Sequence, residues 1–242
     1  MRILLPEIPP LREEEIRIFA LSLDAQAHQS NIDQTALTEE EAHRAERFRF
    51  IIDKNRFISG RTIARRAIRS LLNSSSNLSF TETRNKKPVL SVDRSIQFNI
   101  SHSGQWVIVA MTLDDPLGVD VEYQDGCKDI NGLGKRVMTE KEFALFTAAP
   151  DSDRLDLFYS LWVRKEAVLK CMGTGFSLDP RSIEVGHNKA SPSIFKSEGE
   201  KIQIVELQAH LPLQQYKSAL AYKNKEATKT VEVQYCTLLD SR

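Results

Sequence analysis

The stretch LDLFYSLWVRKEAVLKCMG, Leu155–Gly173, decides how the second half of this chain folds. At 3.6 residues per turn, Leu155, Phe158, Tyr159, Trp162 and Leu169 fall on one apolar stripe, which predicts a long helix from about Ser152 to Met172, stopped by Gly173. Glu166 falls in the middle of that stripe. An unpaired carboxylate on a buried face costs several kcal/mol, so Glu166 needs a partner or a raised pKa. Lys170 stands one turn on, but an i,i+4 pair is usually a surface pair worth a few tenths of a kcal/mol. Such a pair does not account for a glutamate set between Trp162 and Leu169.

Working outward, Gly118-Val119-Asp120-Val121-Glu122 alternates as a strand does. Val119 and Val121 share one face, and Asp120 and Glu122 share the other, roughly 7 Å apart. Taken alone, this reads first as the polar face of an edge strand. With Glu166 beside it, the three carboxylates make an all-oxygen set suited to a hard divalent cation, and Mg²⁺ is the natural candidate. His187 and His210 have no ligand-like spacing and read as ordinary histidines.

The rest of the chain supplies the frame. A first strand is predicted over Ile16, Ile18, Ala20 and Leu21 or Leu23. A capping box, Thr38-Glu39-Glu40-Glu41, opens a short helix. A longer helix, about Asp53 to Leu72, places Phe57, Ala64, Ile68 and Leu71 on one stripe with arginines beside it. Strands follow near Leu78–Thr83, Ile96–Ile100 and Trp106–Thr112, with Lys87-Pro88 in one turn and Ser101-His102-Ser103-Gly104 in the next. Asp114-Asp115-Pro116 marks a junction, dividing the chain into lobes 1–114 and 115–242. Beyond it come the strand Gly118–Tyr123, a Gly-interrupted helix Asp129–Met138, and a helix capped by Thr139-Glu140-Lys141-Glu142. The long helix follows, then strands near Ile183, Ile202–Leu207, Ser218–Tyr222 and Thr230–Tyr235. Helices combined with mostly antiparallel strands in each half give an α+β fold.

Composition narrows the function classes. The 242 residues are 41% hydrophobic and 27% charged, near the globular average, which excludes wholesale disorder and low-complexity classes. The longest apolar run, Trp106 to Leu113, is less than half of the roughly 20 residues a membrane span needs. The apolar start ends at Leu5 before Pro6-Glu7, so no secretory h-region is read there. Cys127, Cys171 and Cys236 suit neither a disulfide framework nor a zinc site and point to a reducing, cytoplasmic setting. The balance of 33 basic and 33 acidic residues hides an asymmetry: arginines crowd Ala42–Leu72, whereas carboxylates crowd Leu113–Ser160. One part is suited to anions and another to a cation, although for any single residue a solvated helix face is the simpler explanation.

On the anion side stand Arg44, Arg56, Lys87-Pro88, Ser101-His102, and Lys165 and Lys170 on either side of Glu166. Bases, a hydroxyl and an imidazole beside a Mg²⁺ site describe a polyphosphate ligand. Four motifs come in order: Lys87-Pro88-Val89-Leu90, Phe98-Asn99-Ile100-Ser101-His102-Ser103, Gly118-Val119-Asp120-Val121-Glu122, and Phe158 through Lys170 closed by Gly173-Thr174-Gly175. Together they resemble the 4′-phosphopantetheinyl transferase superfamily, in its larger, pseudo-dimeric Sfp-type branch, from about Ala42 to Leu178. Two positions depart from the family pattern. Val163 stands where a Thr or Ser is common, and Lys86 where a Gly-Lys-Pro turn has its glycine.

The resemblance implies two similar α+β lobes about a pseudo-twofold axis with coenzyme A in the cleft between them. It implies transfer of the 4′-phosphopantetheine arm of coenzyme A to a serine of an apo acyl or peptidyl carrier protein, releasing adenosine 3′,5′-bisphosphate. Asp120, Glu122 and Glu166 would hold Mg²⁺, and Glu166 or a water it orients would take the serine proton. Lys170 would stabilise the departing phosphate. His102 and Lys165 would contact phosphates, with Ser101 and Pro88 beside the ligand and Arg44, Arg56 and Lys87 towards the 3′-phosphate and adenine. The Arg-rich helix could meet an acidic carrier. A monomer without nucleic-acid or membrane partners is expected. Two rivals remain: another Mg²⁺-dependent phosphoryl-transfer or phosphodiesterase enzyme, and a nucleic-acid-binding module. For the second, the sequence offers neither aromatic stacking motifs nor net basic charge.

Overall fold

The computed structural model describes residues 1–23, 30–73, 78–91, 95–126, 129–186, 193–197, 200–208, 211, 214–223 and 229–239. Among them the chain forms β1 (Arg2–Leu4), β2 (Glu15–Ser22), α1 (Glu39–Glu46), α2 (Ile51–Leu71), β3 (Phe80–Glu82), β4 (Pro88–Leu90), β5 (Ile96–Ser103), β6 (Trp106–Leu113) and β7 (Leu117–Tyr123). It continues with α3 (Ile130–Val137), α4 (Glu140–Ala148), α5 (Asp151–Met172), β8 (Ser193–Ser197), β9 (Glu200–Glu206), β10 (Tyr216–Lys223), β11 (Thr230–Tyr235) and β12 (Thr237–Leu239). Two four-stranded sheets and two hairpin-sized ones accompany the helices, an α+β fold as expected. Cys127, His187 and His210 lie outside the described residues.

Two compact units emerge. The first comprises Met1–Glu82, Pro88–Asp114 and Lys229–Arg242, and the second Thr83–Lys87 and Asp115–Thr228. A cut at 114/115 does not reproduce these limits. Strand β11 runs parallel to β2, with Val231 opposite Ile16, and β12 pairs with β1, so the last strands join the first unit. Nothing local in those strands names a partner at the opposite end of the chain.

In the first unit α2 lies on the sheet β11-β2-β6-β5. Ile58, Ile63, Ala64 and Ile68 from α2 meet Phe19, Leu21, Phe98, Val107, Val109 and Met111 in one core. Gly60 lets the helix come close, because a Cβ there would sit 2.7 Å from Ile100 Cγ2. The capping box of α1 is formed as read: Glu41 N donates to Thr38 Oγ1 at 3.3 Å and Thr38 N to Glu41 Oε2 at 3.1 Å.

In the second unit α5 lies on the sheet β7-β10-β9-β8. Phe158, Leu161, Ala167 and Val168 pack with Phe146, Ile183, Ile202, Ile204 and Ala219. Gly173 ends the helix in the left-handed region at φ 69°, where glycine pays no Cβ penalty. A second capping box, Thr139 with Glu142, opens α4.

Three local expectations are corrected. Pro88 opens β4, and Ser101, His102 and Ser103 belong to β5, opposite Ile108, Val107 and Trp106, because ladder pairing overrides their turn-like composition. Ile183 is in no strand; it follows a 3₁₀ turn, Pro180–Ser182, and the Lys165 ammonium donates to the carbonyls of Pro180 and of Ile183 itself. No helix among the described residues is long and apolar enough to cross a membrane.

Candidate active site

The carboxylate strand β7 and the helix α5 meet in the second unit at a glycine. A Cβ on Gly118 would lie 2.2 Å from Ala167 O and 2.4 Å from Cys171 N, so any other residue would force strand and helix apart. Strand alternation puts Asp120 and Glu122 on the same face as Gly118, towards α5. Asp120 is buried there at 3% exposure, and its Oδ1 lies 2.6 Å from Lys170 Nζ, which also donates to Val119 O at 3.2 Å.

Glu166, one turn before Lys170, completes the group. Its Oε1 is buried and has no hydrogen-bond partner. Burial pushes its pKa up to about 7; the Lys170 ammonium pulls it down, and the charges of Asp120 and Glu122 add to the rise. The four side chains expected at the chemistry therefore share one electrostatic environment. A carboxylate with a near-neutral pKa exists as an acid and as a base in comparable amounts, the condition general-base catalysis favours.

Among the described residues, no group of three or more His, Cys, Asp or Glu side chains is arranged to hold a metal ion. The expected three-carboxylate shell is not gathered ready-made; in this arrangement the Lys170 ammonium supplies the positive charge at Asp120. The donor chemistry nevertheless fits a hard divalent cation. The donors are all oxygen, one buried carboxylate oxygen lacks a partner, and the mutual repulsion of the three is what a cation relieves.

The other expected residues divide. Lys165, expected at the phosphates, is fully buried: its ammonium pairs with Glu142 Oε2 at 2.7 Å and donates to the carbonyls of Pro180, at 2.9 Å, and Ile183. Its three donors are spent inside the unit, and on a helix it points about 100° away from Glu166. Lys87 also turns inward, its ammonium donating to Leu117 O and Lys170 O, both at 2.8 Å. Arg56 holds the β5–β6 turn through Gly104 O and pairs with Asp53 at 2.6 Å. Pro88, Ser101 and His102 lie on β4 and β5 of the first unit, Ser101 buried and His102 exposed. Arg44 pairs with Glu82 at 2.6 Å and lies over the Phe57 ring, beside a cavity of about 440 Å³ lined also by Thr38, Glu41, Arg61 and Phe80.

Two features escaped the sequence. Glu142 was visible as a cap, but it also pairs with Lys165 and accepts from Val185 N at 2.9 Å, joining α4, α5 and the following loop. Gly118 carried a usable signal, a glycine inside a β-branched strand, which marks close backbone approach.

A near-neutral buried carboxylate, a carboxylate–lysine pair and oxygen donors suited to a hard cation are groups that an enzyme moving phosphate-linked groups can use. Comparison with known proteins makes this specific. Residues 116–221 match the 4′-phosphopantetheinyl transferase superfamily, and residues 24–114 match the 4′-phosphopantetheinyl transferase N-terminal family. The chain is 30% identical over 179 residues to 4′-phosphopantetheinyl transferase HetI of a Nostoc species, covering 72% of this chain and 76% of that one. It is 29% identical over 234 residues to 4′-phosphopantetheinyl transferase psf-1 of Bacillus pumilus, covering 94% and 98%. Against 4′-phosphopantetheinyl transferase Sfp of Bacillus subtilis it is 29% identical over 174 residues, covering 70% and 76%. The chain belongs to the 4′-phosphopantetheinyl transferase superfamily.

Proposed function

We propose that this protein transfers the 4′-phosphopantetheine arm of coenzyme A to a serine hydroxyl of an apo acyl or peptidyl carrier protein. The serine oxygen forms a bond to the phosphorus bearing the pantetheine arm, the pyrophosphate P–O bond breaks, and adenosine 3′,5′-bisphosphate leaves. The observation that carries this reading is Glu166: a buried carboxylate oxygen without a partner, a pKa of about 7, and the Asp120–Lys170 pair beside it. Glu166, or a water it orients, takes the serine proton. Lys170 neutralises charge on the departing phosphate when it leaves Asp120. Asp120, Glu122 and Glu166 are proposed to hold Mg²⁺, which when bound supplies charge neutralisation at the pyrophosphate. Arg44, Pro88, Ser101 and His102 remain the proposed coenzyme A contacts of the first unit. A monomeric, cytoplasmic enzyme is the proposed setting.

Mass spectrometry of a panel of apo carriers incubated with the protein, coenzyme A and Mg²⁺ tests this. Gain of one phosphopantetheine on a serine, lost when Mg²⁺ is chelated, is the expected result. Hydrolysis of generic phosphodiesters with no carrier modified would replace the proposal with the phosphodiesterase reading.

A further inference from the structure

We propose that Lys87 is a positioning residue, a clamp that fixes the strand carrying Asp120 and Glu122 against the helix carrying Glu166 and Lys170. Its ammonium donates to Leu117 O and to Lys170 O, at 2.8 Å each. Leu117 opens β7 three residues before Asp120, and Lys170 is the residue whose own ammonium grips Asp120 at 2.6 Å. One side chain thus ties together the backbones of the two elements whose side chains form the candidate site.

Lys87 reaches that point from a turn anchored to the same helix end. Within the turn, Thr83 N donates to Lys87 O at 2.9 Å and Lys86 N to Thr83 O at 2.8 Å, while Asn85 Nδ2 donates to Gly173 O at 2.8 Å. The strand start and helix end touch twice more, at Gly118 against Ala167 O and at Cys171 Sγ, which donates to Pro116 O at 3.2 Å. Lys87 forms no salt bridge with a described carboxylate, and burial holds its pKa below the ordinary lysine range. Its cation is steadied by carbonyl oxygens, one in the last turn of α5, where the helix dipole favours positive charge. Two of its three donors are spent on those carbonyls, so the ammonium is oriented by the two backbones and keeps only one N–H for any other acceptor. Held as it is, it acts through the spacing of Asp120 and Lys170, and a misplacement of about 1 Å at such a centre costs up to about a hundredfold in rate.

The clamp rests on the proposed transfer reaction, and its test separates the two. Lys87→Met keeps most of the stem and removes both donors. With coenzyme A and a carrier the wild type modifies, the variant should lose at least about tenfold in kcat while KM for coenzyme A stays within about twofold. Calorimetry with adenosine 3′,5′-bisphosphate, which needs no turnover, should show unchanged affinity. Lys87→Arg keeps a phosphate-binding charge but has the wrong shape for two carbonyls in one slot, so it should not restore kcat. Raised KM with weakened bisphosphate binding, or full activity in Lys87→Arg, would make Lys87 a ligand contact and overturn the clamp. So would wild-type kcat in Lys87→Met, or two variants that are simply unfolded at assay temperature. Failure of the wild type on every carrier would overturn the transfer reaction, leaving calorimetry to decide whether Lys87 contacts the ligand.

Discussion

The two long helices both bury charge, and they differ at Glu166. On α2, Arg65 donates to Leu78 O at 2.7 Å and Ala36 O at 2.8 Å, pairs with Glu41 at 2.9 Å, and lies over the Phe80 ring. Arg61 pairs with Glu82 at 3.0 Å, and Arg66 donates to Ile3 O at 2.6 Å. These guanidinium groups are held by their own unit, although Arg65 Nη2 meets Glu41 Oε2 as an ion pair at 2.9 Å without hydrogen-bond geometry. On α5, Arg164 and Lys165 are consumed in the same manner, by Glu206 and Glu142. Glu166, between Lys165 and the helix end, keeps a buried oxygen with no partner and a pKa near 7. A buried charge with its partners in place is part of the fold. One whose desolvation is left uncompensated is the candidate for chemistry.

The largest expected effect tests the α5 side of this contrast. Asp120→Ala should bring carrier modification down by at least about a hundredfold, the loss expected when a group holding metal and lysine is removed. Asp120 is buried and paired rather than solvated, so the same change should also cost about 1–2 kcal/mol, discounted because Lys170 is 27% exposed. Denaturant melts and steady-state rates on one preparation separate the two losses.

On α2 the balance should invert. Arg65→Ala removes a guanidinium 3% exposed, orphans the carbonyls of Ala36 and Leu78 and leaves Glu41 with Arg61 at 3.7 Å and Thr38 N, so stability should fall by about 3 kcal/mol while kcat/KM of the folded fraction changes little. A large loss of kcat in a folded Arg65→Ala protein would break the comparison.

The asymmetry explains what could be seen in the sequence. The stripe of α5 displayed Glu166 as an anomaly because an apolar period makes a misplaced carboxylate visible. Capping boxes at Thr38 and Thr139 were visible because they are local. The arginines of α2 looked like an anion-binding face because their partners, Glu82 and the carbonyls of Ala36 and Leu78, lie on other elements. The backbone partners of Lys87 and Lys165 were illegible for the same reason: a lysine written beside a motif gives no sign that backbone carbonyls will receive it.

A pH experiment sharpens the contrast at smaller amplitude. The folded-state pKa of Glu166, about 7, lies above its ordinary value of 4.5, so between those values the folded protein holds more protons than the unfolded chain. Stability from this group therefore falls as pH rises through that window, by no more than about 3.5 kcal/mol at about 1.4 kcal/mol per unit. Unfolding free energies measured in chelator from pH 4.5 to 7.5 should show this slope in the wild type and lose it in Glu166→Gln.

The smallest effect concerns the turn that carries Lys87. Lys86 sits at φ 61°, in the left-handed region, where a side chain costs roughly 1 kcal/mol. Lys86→Gly relieves that strain and loses part of the gain to unfolded-chain entropy, so stability should rise by about 0.5 kcal/mol with activity unchanged. A fall in stability would mean that the Lys86 side chain contributes a contact that outweighs its strain.

Burial of Glu166 costs the fold stability, and the proposed reaction supplies the reason it is kept. Glu166→Gln, which keeps size and removes charge and basicity, tests this in one paired measurement of melting temperature and turnover with coenzyme A, Mg²⁺ and an apo carrier. The variant's melting temperature at pH 7.5 should equal or exceed that of the wild type, and its turnover should fall by at least about a hundredfold. A lowered melting temperature with unchanged turnover would contradict it.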